Sequence, residues 1–163
     1  MKINYVQPDY FQETVVPLSI YLLNLPEREK PFFIGINGGQ GSGKTTLSDF
    51  VQVVLSNVSN KAVTGFSIDD IYKTTEEREE QSKEIHPLCK VRGVPGTHDI
   101  QMGLEVLDSL SNATKDTLTP IPAFSKPLDR HKPKEDWKVF QGKPDYIFFD
   151  AWCAGVRPIS EEN

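Results

Sequence analysis

The run Gly38-Gly39-Gln40-Gly41-Ser42-Gly43-Lys44-Thr45 fits the pattern G-x-x-x-x-G-K-[ST]. Glycines at this density let the backbone curl around a phosphate chain, with successive N–H groups pointing inward. A helix that starts at the end of the loop adds a partial positive charge. Lys44 would then reach the terminal phosphates of a nucleotide, and the Thr45 hydroxyl would serve as a ligand for Mg²⁺. A glycine-rich turn that only happens to end in lysine and threonine would not need the right neighbours. Here they are right. Pro31–Asn37 (PFFIGIN) reads as a strand buried on both faces, and Leu47–Val58 has helical spacing, with Leu47, Val51, Val54 and Leu55 on one stripe.

Phosphoryl transfer also needs a carboxylate that orients and deprotonates the acceptor hydroxyl near the terminal phosphate. In a parallel α/β sheet the ligand sits beyond the carboxyl ends of the strands, so residues just past each strand matter most. SIDDIY follows the second strand, Ala62–Ile68, and presents Asp69, Asp70 and Tyr72. Asp69 is the expected base, whereas Asp70 reads as a turn-forming or capping residue. Asp150 ends the last apolar strand, Asp145–Trp152 (DYIFFDAW), where a P-loop protein keeps the carboxylate that holds Mg²⁺. A plain strand-end aspartate is the alternative there.

RGVPGTHD, Arg92–Asp99, packs a cation, two glycines, a proline, a histidine and a carboxylate between two helix-like segments. Such a loop has little apolar surface to offset the entropy of ordering it. Arg92 is suited to a carboxylate ligand, gripped by two parallel hydrogen bonds. His98 reads equally as a ligand contact or a packed loop histidine. Asp99 reads equally as a ligand contact or the N-cap of the following helix.

These residues need a scaffold. Asp9–Leu25 predicts one or two short helices, with Pro17 kinking the first or opening the second. TTEEREEQSKE predicts a solvated helix without chemistry, Thr74 and Glu77 being in capping-box register. Ile100, Leu104, Leu107 and Leu110 mark an amphipathic helix. Pro120–Pro144, rich in proline and charge, predicts a long functional loop rather than regular structure. Strand, helix, strand, helix, strand is the pattern of an α/β fold with a mainly parallel sheet. We expect one domain over residues 1–163, a helical segment at 1–30 preceding a nucleotide-binding core at 31–163.

The chain has 163 residues, 37% hydrophobic and 25% charged, with a formal charge of −5. That balance argues against a general nucleic-acid or anionic-membrane binder. Two distant cysteines, Cys89 and Cys153, provide neither a disulfide framework nor a zinc ligand set. There is no signal-peptide h-region and no run of about eighteen apolar residues. A soluble, cytoplasmic protein is expected.

The ordered set GGQGSGKTT, SIDDIY, RGVPGTHD, IPAFSKPLDR and FFDAW resembles the P-loop glycerate kinases of plants and fungi and their bacterial relatives. That family is grouped with uridine kinases, pantothenate kinases and phosphoribulokinases, and the resemblance covers most of Ile34–Arg157. It implies a P-loop NTPase-type three-layer sandwich with ATP as co-substrate and Mg²⁺ as cofactor. The phosphates would lie on Gly38, Gly39, Gln40, Gly41, Ser42, Gly43, Lys44, Thr45 and Thr46. Asp69 would be the base and Thr45 and Asp150 the metal ligands. Tyr72, Arg92, His98 and Asp99 would face a small hydroxylated, acidic acceptor, D-glycerate first.

Two departures stand out. Asp150-Ala151 replaces the family's glutamate and glycine, and Pro122-Ala123-Phe124-Ser125-Lys126 replaces a pattern like P-R-F-D-K. Lys126, Asp129 and Arg130 remain as polar candidates in that segment, or as parts of a solvated loop. Members of the family also continue well past the third strand, so a C-terminally truncated sheet is expected. The apolar edge Phe32–Ile36 would then be open to a second copy or a partner. The rival readings are a uridine- or pantothenate-type kinase and a non-catalytic nucleotide-binding or assembly module.

Overall fold

The computed structural model describes residues 7–157. The ends of the expected domain, residues 1–6 and 158–163, lie outside them. Three strands form a parallel sheet in the order β1 (Phe32–Asn37), β7 (Tyr146–Ala151), β2 (Val63–Ser67). The strand that comes last in sequence takes the centre, where both its faces are covered, as the apolar run YIFF predicts. Its register sets Asp150 opposite Ile36 on one side and Ser67 on the other. The carboxylate therefore arrives between the start of the glycine loop and the start of SIDDIY.

One face of the sheet packs Tyr146 and Phe148 against Val15, Leu22, Val51 and Leu55. Those residues come from the N-terminal helical segment and from α3 (Lys44–Ser59). The segment runs through α1 (Pro8–Tyr10), a π-helical turn (Phe11–Val15) and α2 (Val16–Leu23). Pro17 lies in the first turn of α2, the second of the two expected positions. Its missing N–H falls at the start of α2, and the preceding turn widens, Val16 N–H donating to the Phe11 carbonyl. The other face packs Phe66, Ile147 and Ala151 against Val106 and Leu110 of α5 (Ile100–Ser111). Helices thus cover both faces, giving three layers.

α4 (Thr75–Glu84) begins at the expected capping box: the Glu77 N–H donates to Thr74 Oγ1 at 3.2 Å, and the Thr74 N–H to Glu77 Oε2 at 2.8 Å. It is not solvated all round, since Arg78 is 1% exposed. The stretch from Pro120 to Pro144 is also more regular than its composition predicts. β3 (Leu118–Ile121) pairs antiparallel with β6 (Lys138–Gln141), and β4 (Phe124–Ser125) with β5 (Arg130–His131). Proline is tolerated there because each ladder has only two strands, so Pro120 can turn its donor-less nitrogen away from its partner.

β1 has no strand on its outer side among the described residues, and Phe33 is 49% exposed. Cys89 and Cys153 are free thiols. Among the described residues no helix is long and apolar enough to cross a membrane.

Candidate functional site

The glycine loop leaves β1 with the Gly38 N–H donating to the Ala151 carbonyl at 3.3 Å. Two of its residues need positive φ, Gly41 at 72° and Gly43 at 87°, and any other residue would be strained there. Gly38 is not so constrained: a Cβ there would meet Ser42 Oγ at 2.9 Å, a hydroxyl that can rotate away. Lys44 opens α3, and its Nζ donates to the Gly39 carbonyl at 2.8 Å. Thr45 and Thr46 follow on the first helical turn.

Thr45 Oγ1 donates to Asp150 Oδ2 at 3.3 Å, and Ser67 Oγ to the same oxygen at 3.0 Å. Ser67 Oγ in turn accepts the Asp69 N–H at 3.2 Å, while Asp70 Oδ2 accepts the Ser67 N–H at 3.0 Å. This reciprocal cap winds Ile68–Ile71 into a 3₁₀ turn, and Asp70 does the turn-forming work expected of it. Burial raises the Asp150 carboxyl above its ordinary value, against the bonds from Ser67 and Thr45 and the charge of Lys44. Among the described residues no cluster of three acidic, histidine or cysteine side chains could cage a metal. A hydroxyl and a carboxylate, completed by phosphate oxygens and water, suit Mg²⁺.

The Asp69 carboxylate lines the same cavity as Asp150 but has a different partner. Its Oδ2 accepts Lys126 Nζ at 2.5 Å. Burial alone would raise its carboxyl, but hydrogen bonds from Lys126 and Tyr72 outweigh that and hold it below the usual aspartate value. Burial, and then the Asp69 carboxylate, push the Tyr72 phenol well above its ordinary range.

Two cavities meet at Asp69. One, of about 290 Å³, is walled by Gly41, Lys44, Thr45 and Asp150; the other, of about 410 Å³, by Tyr72, Arg78, Lys90, Arg92 and Asp129. Gln40, Asp69 and Lys126 belong to both walls.

The Arg92–Asp99 loop is stitched to the SIDDIY segment. The Asp99 N–H donates to the Ile71 carbonyl at 2.6 Å and the Lys73 N–H to the Thr97 carbonyl at 2.9 Å. Gly93 and Gly96 turn the chain at φ 97° and 91°. Arg92 reaches the second cavity, with Nε 3.2 Å from Asp129 Oδ1 and Nη1 buried without a partner. Its guanidinium lies over the rings of Phe124 and Tyr72, at 5.6 and 5.8 Å.

His98 and Asp99 do not reach that cavity. His98 is buried behind Tyr72, their ring centroids 4.5 Å apart, and burial lowers its pKa despite the attraction of Asp69. Asp99 caps α5, its Oδ1 accepting the Met102 N–H at 2.9 Å. The loop closes as a bridge onto Tyr72, which leaves His98 buried with its Nε2 unpartnered and Asp99 bonded to the helix.

Sequence reasoning passed over two residues here, Ser67 and Arg78. Ser67 was treated as strand rather than as a partner of Asp150. Arg78, assigned no chemistry, donates to the carbonyls of Lys73 (3.2 Å) and Lys90 (2.7 Å), to Thr75 Oγ1 (3.3 Å) and to Asp129 Oδ2 (2.6 Å). Asp129 sits at φ 50° and ties Arg78 to Arg92; despite its burial these partners hold its carboxyl below the ordinary value. Arg130, exposed in β5, does not line either cavity.

No protein-family model matches the chain. It is 34% identical over 148 residues to a Schizosaccharomyces pombe protein named uncharacterized kinase mug58, covering 85% of this chain and 52% of the relative. It is 32% identical over 137 residues to the chloroplastic D-glycerate 3-kinase of Arabidopsis thaliana, 79% of this chain and 30% of the relative. A solved D-glycerate 3-kinase structure from Cryptococcus neoformans aligns with 96% of this chain and 57% of its own, with TM-score 0.73 and 23% identity, a likeness of fold. The chain therefore spans about half or less of these relatives' length.

Proposed function

We propose that this chain, which belongs with the P-loop small-molecule kinases, binds ATP and passes its γ-phosphate to a hydroxyl of a small acidic acceptor, D-glycerate first. The observation that carries the reading is the position of Asp69, on the wall shared by a phosphate-type cavity and a cationic one. Similarity to a protein named D-glycerate 3-kinase supports the acceptor, as does the set of cations around the second cavity.

The loop Gly38–Gly43 would hold the phosphates by its N–H groups, Lys44 by its charge, and Thr46 would keep the first turn of α3 in place beneath them. Thr45 and Asp150 would hold Mg²⁺, which, when bound, neutralises charge on the phosphate oxygens. Arg92 and Tyr72 line the acceptor's seat, where the guanidinium would pair with the acceptor carboxylate. The acceptor hydroxyl would attack the γ-phosphorus, forming an O–P bond while the bond to the β–γ bridging oxygen breaks. ADP leaves with that electron pair, and the hydroxyl proton passes to Asp69.

Asp69 is ionised over the neutral range but is a weak base, so it would take the proton late, once the new bond to phosphorus has made that proton acidic. Free thiols at Cys89 and Cys153 suit a cytoplasmic setting, and the outer edge of β1 is where a second copy or a partner strand would pair.

The test is Mg·ATP phosphotransfer onto a panel of acceptors, D-glycerate, uridine and pantothenate among them, read by mass spectrometry beside Lys44→Ala. Phosphoglycerate formed by the wild type and absent from the variant is the expected result. ATP binding without transfer to any acceptor would instead favour a non-catalytic nucleotide-binding module.

A further inference from the structure

We infer that Lys126 is a catalytic residue: its ammonium bridges Asp69 and the γ-phosphoryl group and offsets the charge that gathers between them. The inference rests on the kinase reading above. It starts from position. Of the three residues that wall both cavities, Gln40, Asp69 and Lys126, only the last is a cation. The wall of the phosphate cavity carries Lys44 and Lys126 against Asp69 and Asp150, so it is electrically balanced before any nucleotide charge enters.

Transfer requires the base and the phosphoryl group, both anionic, to close on the same hydroxyl. Two like charges a few ångströms apart repel by several kcal/mol at an effective dielectric of about 20. Lys44 is on the loop side, bonded to the Gly39 carbonyl, and Lys126 stands on the acceptor side, bonded to Asp69. An ammonium has three donors, of which Asp69 takes one, so Lys126 can hold a γ-oxygen without releasing the base. Its head group is free to do so, the side chain being 58% exposed.

A surface ion pair that merely steadies the loop is the competing account, and the hairpin has no need of one. The Phe124 N–H reaches Asp70 Oδ1 at 3.5 Å, His131 Nε2 lies 2.8 Å from the Tyr72 carbonyl, and Asp129 binds Arg78 and Thr75. These contacts fix the turn on both flanks of Lys126 and aim it across the cleft.

The test compares nucleotides with and without the third phosphate, which needs no knowledge of the acceptor. The 163-residue chain and Lys126→Ala are titrated calorimetrically with Mg²⁺ and either ADP or the non-hydrolysable analogue AMP-PNP. The variant should lose about tenfold or more in affinity for AMP-PNP, the scale of one hydrogen bond to a charged group, while keeping its ADP affinity. Lys126→Arg should restore most of the loss. Lys126→Gln, which keeps the stem and removes the charge, decides the matter if the alanine variant unfolds. Equal losses for both nucleotides, or none for either, would overturn the inference and leave the kinase reading standing. If the wild type binds neither nucleotide, the kinase reading fails and the inference falls with it.

Discussion

Ser67 Oγ donates to Asp150 Oδ2 across the β2–β7 pairing at 3.0 Å, so the carboxylate assigned to the metal is oriented by a hydroxyl two residues before the assigned base. The same hydroxyl accepts the Asp69 N–H at 3.2 Å. One small side chain therefore sets both aspartates.

Ser67→Ala should lower Mg²⁺ affinity in the nucleotide complex by about 10- to 100-fold, the usual cost of losing an outer partner of a metal ligand. Nucleotide binding without Mg²⁺ should change little. Titrating Mg²⁺ against a fixed concentration of nucleotide separates the two, and an unshifted Mg²⁺ midpoint would count against Asp150 as the ligand.

Arg78 is the most deeply buried charged side chain among the described residues, 1% exposed, and its bonds join α4 to the loop before Arg92 and to Asp129. Replacing it by methionine keeps bulk but strands two carbonyls and a carboxylate, so Arg78→Met should cost about 3 kcal/mol of stability. Urea denaturation would read this as a lower midpoint at an unchanged slope. An unchanged midpoint would mean that water replaces those bonds at no cost.

The glycine loop offers a comparison of conformation with space. A Cβ at Gly43 meets nothing within 4 Å, yet its φ is 87°; Gly39 is equally open and has no positive φ. Gly43→Ala should therefore destabilise the chain without nucleotide by about 1–2 kcal/mol, the strain of a left-handed alanine. Gly39→Ala should be neutral or stabilising by up to about 1 kcal/mol, through the lost freedom of the unfolded chain. Equal melting temperatures for the two variants would contradict this geometry.

Much of this site could be read in the sequence because its signals are local. The glycine loop, the strand before it and the helix after it lie within thirty residues, and SIDDIY follows directly on a strand. The acceptor side was harder to read. Arg78 meets Asp129 across 51 residues, and Lys126 meets Asp69 across 57. Nothing in TTEEREEQSKE tells which charge is buried, since its helical pattern is polar on every side. β4 and β5 have two residues each, too few for alternation to show, and Pro122 and Pro127 make the segment look like a loop. His98 and Asp99 read equally as ligand contacts or as a packed histidine and a helix cap, because a loop's composition does not reveal which side chains its own backbone turns inward.

The pH dependence of stability tests Asp150 independently of any reaction. Its carboxyl is raised above the ordinary aspartate value of 3.8, burial being the main cause. A carboxyl with a raised folded pKa binds its proton more tightly folded than unfolded. Folding then carries a penalty that begins as pH rises through 3.8 and is complete once pH exceeds the folded value. At pH 7 the wild type bears that penalty in full, and an amide at this position does not. Asp150→Asn should melt higher than the wild type at pH 7, and the difference should vanish below the ordinary aspartate value, where both side chains are neutral. Mg²⁺ with nucleotide should raise the wild-type melting temperature more than the variant's, because the charge that costs stability is the one proposed to bind the ion. A variant that melts lower than the wild type at pH 7 would mean that the bonds from Ser67 and Thr45 outweigh burial, and that the carboxylate is held for the fold rather than for a metal.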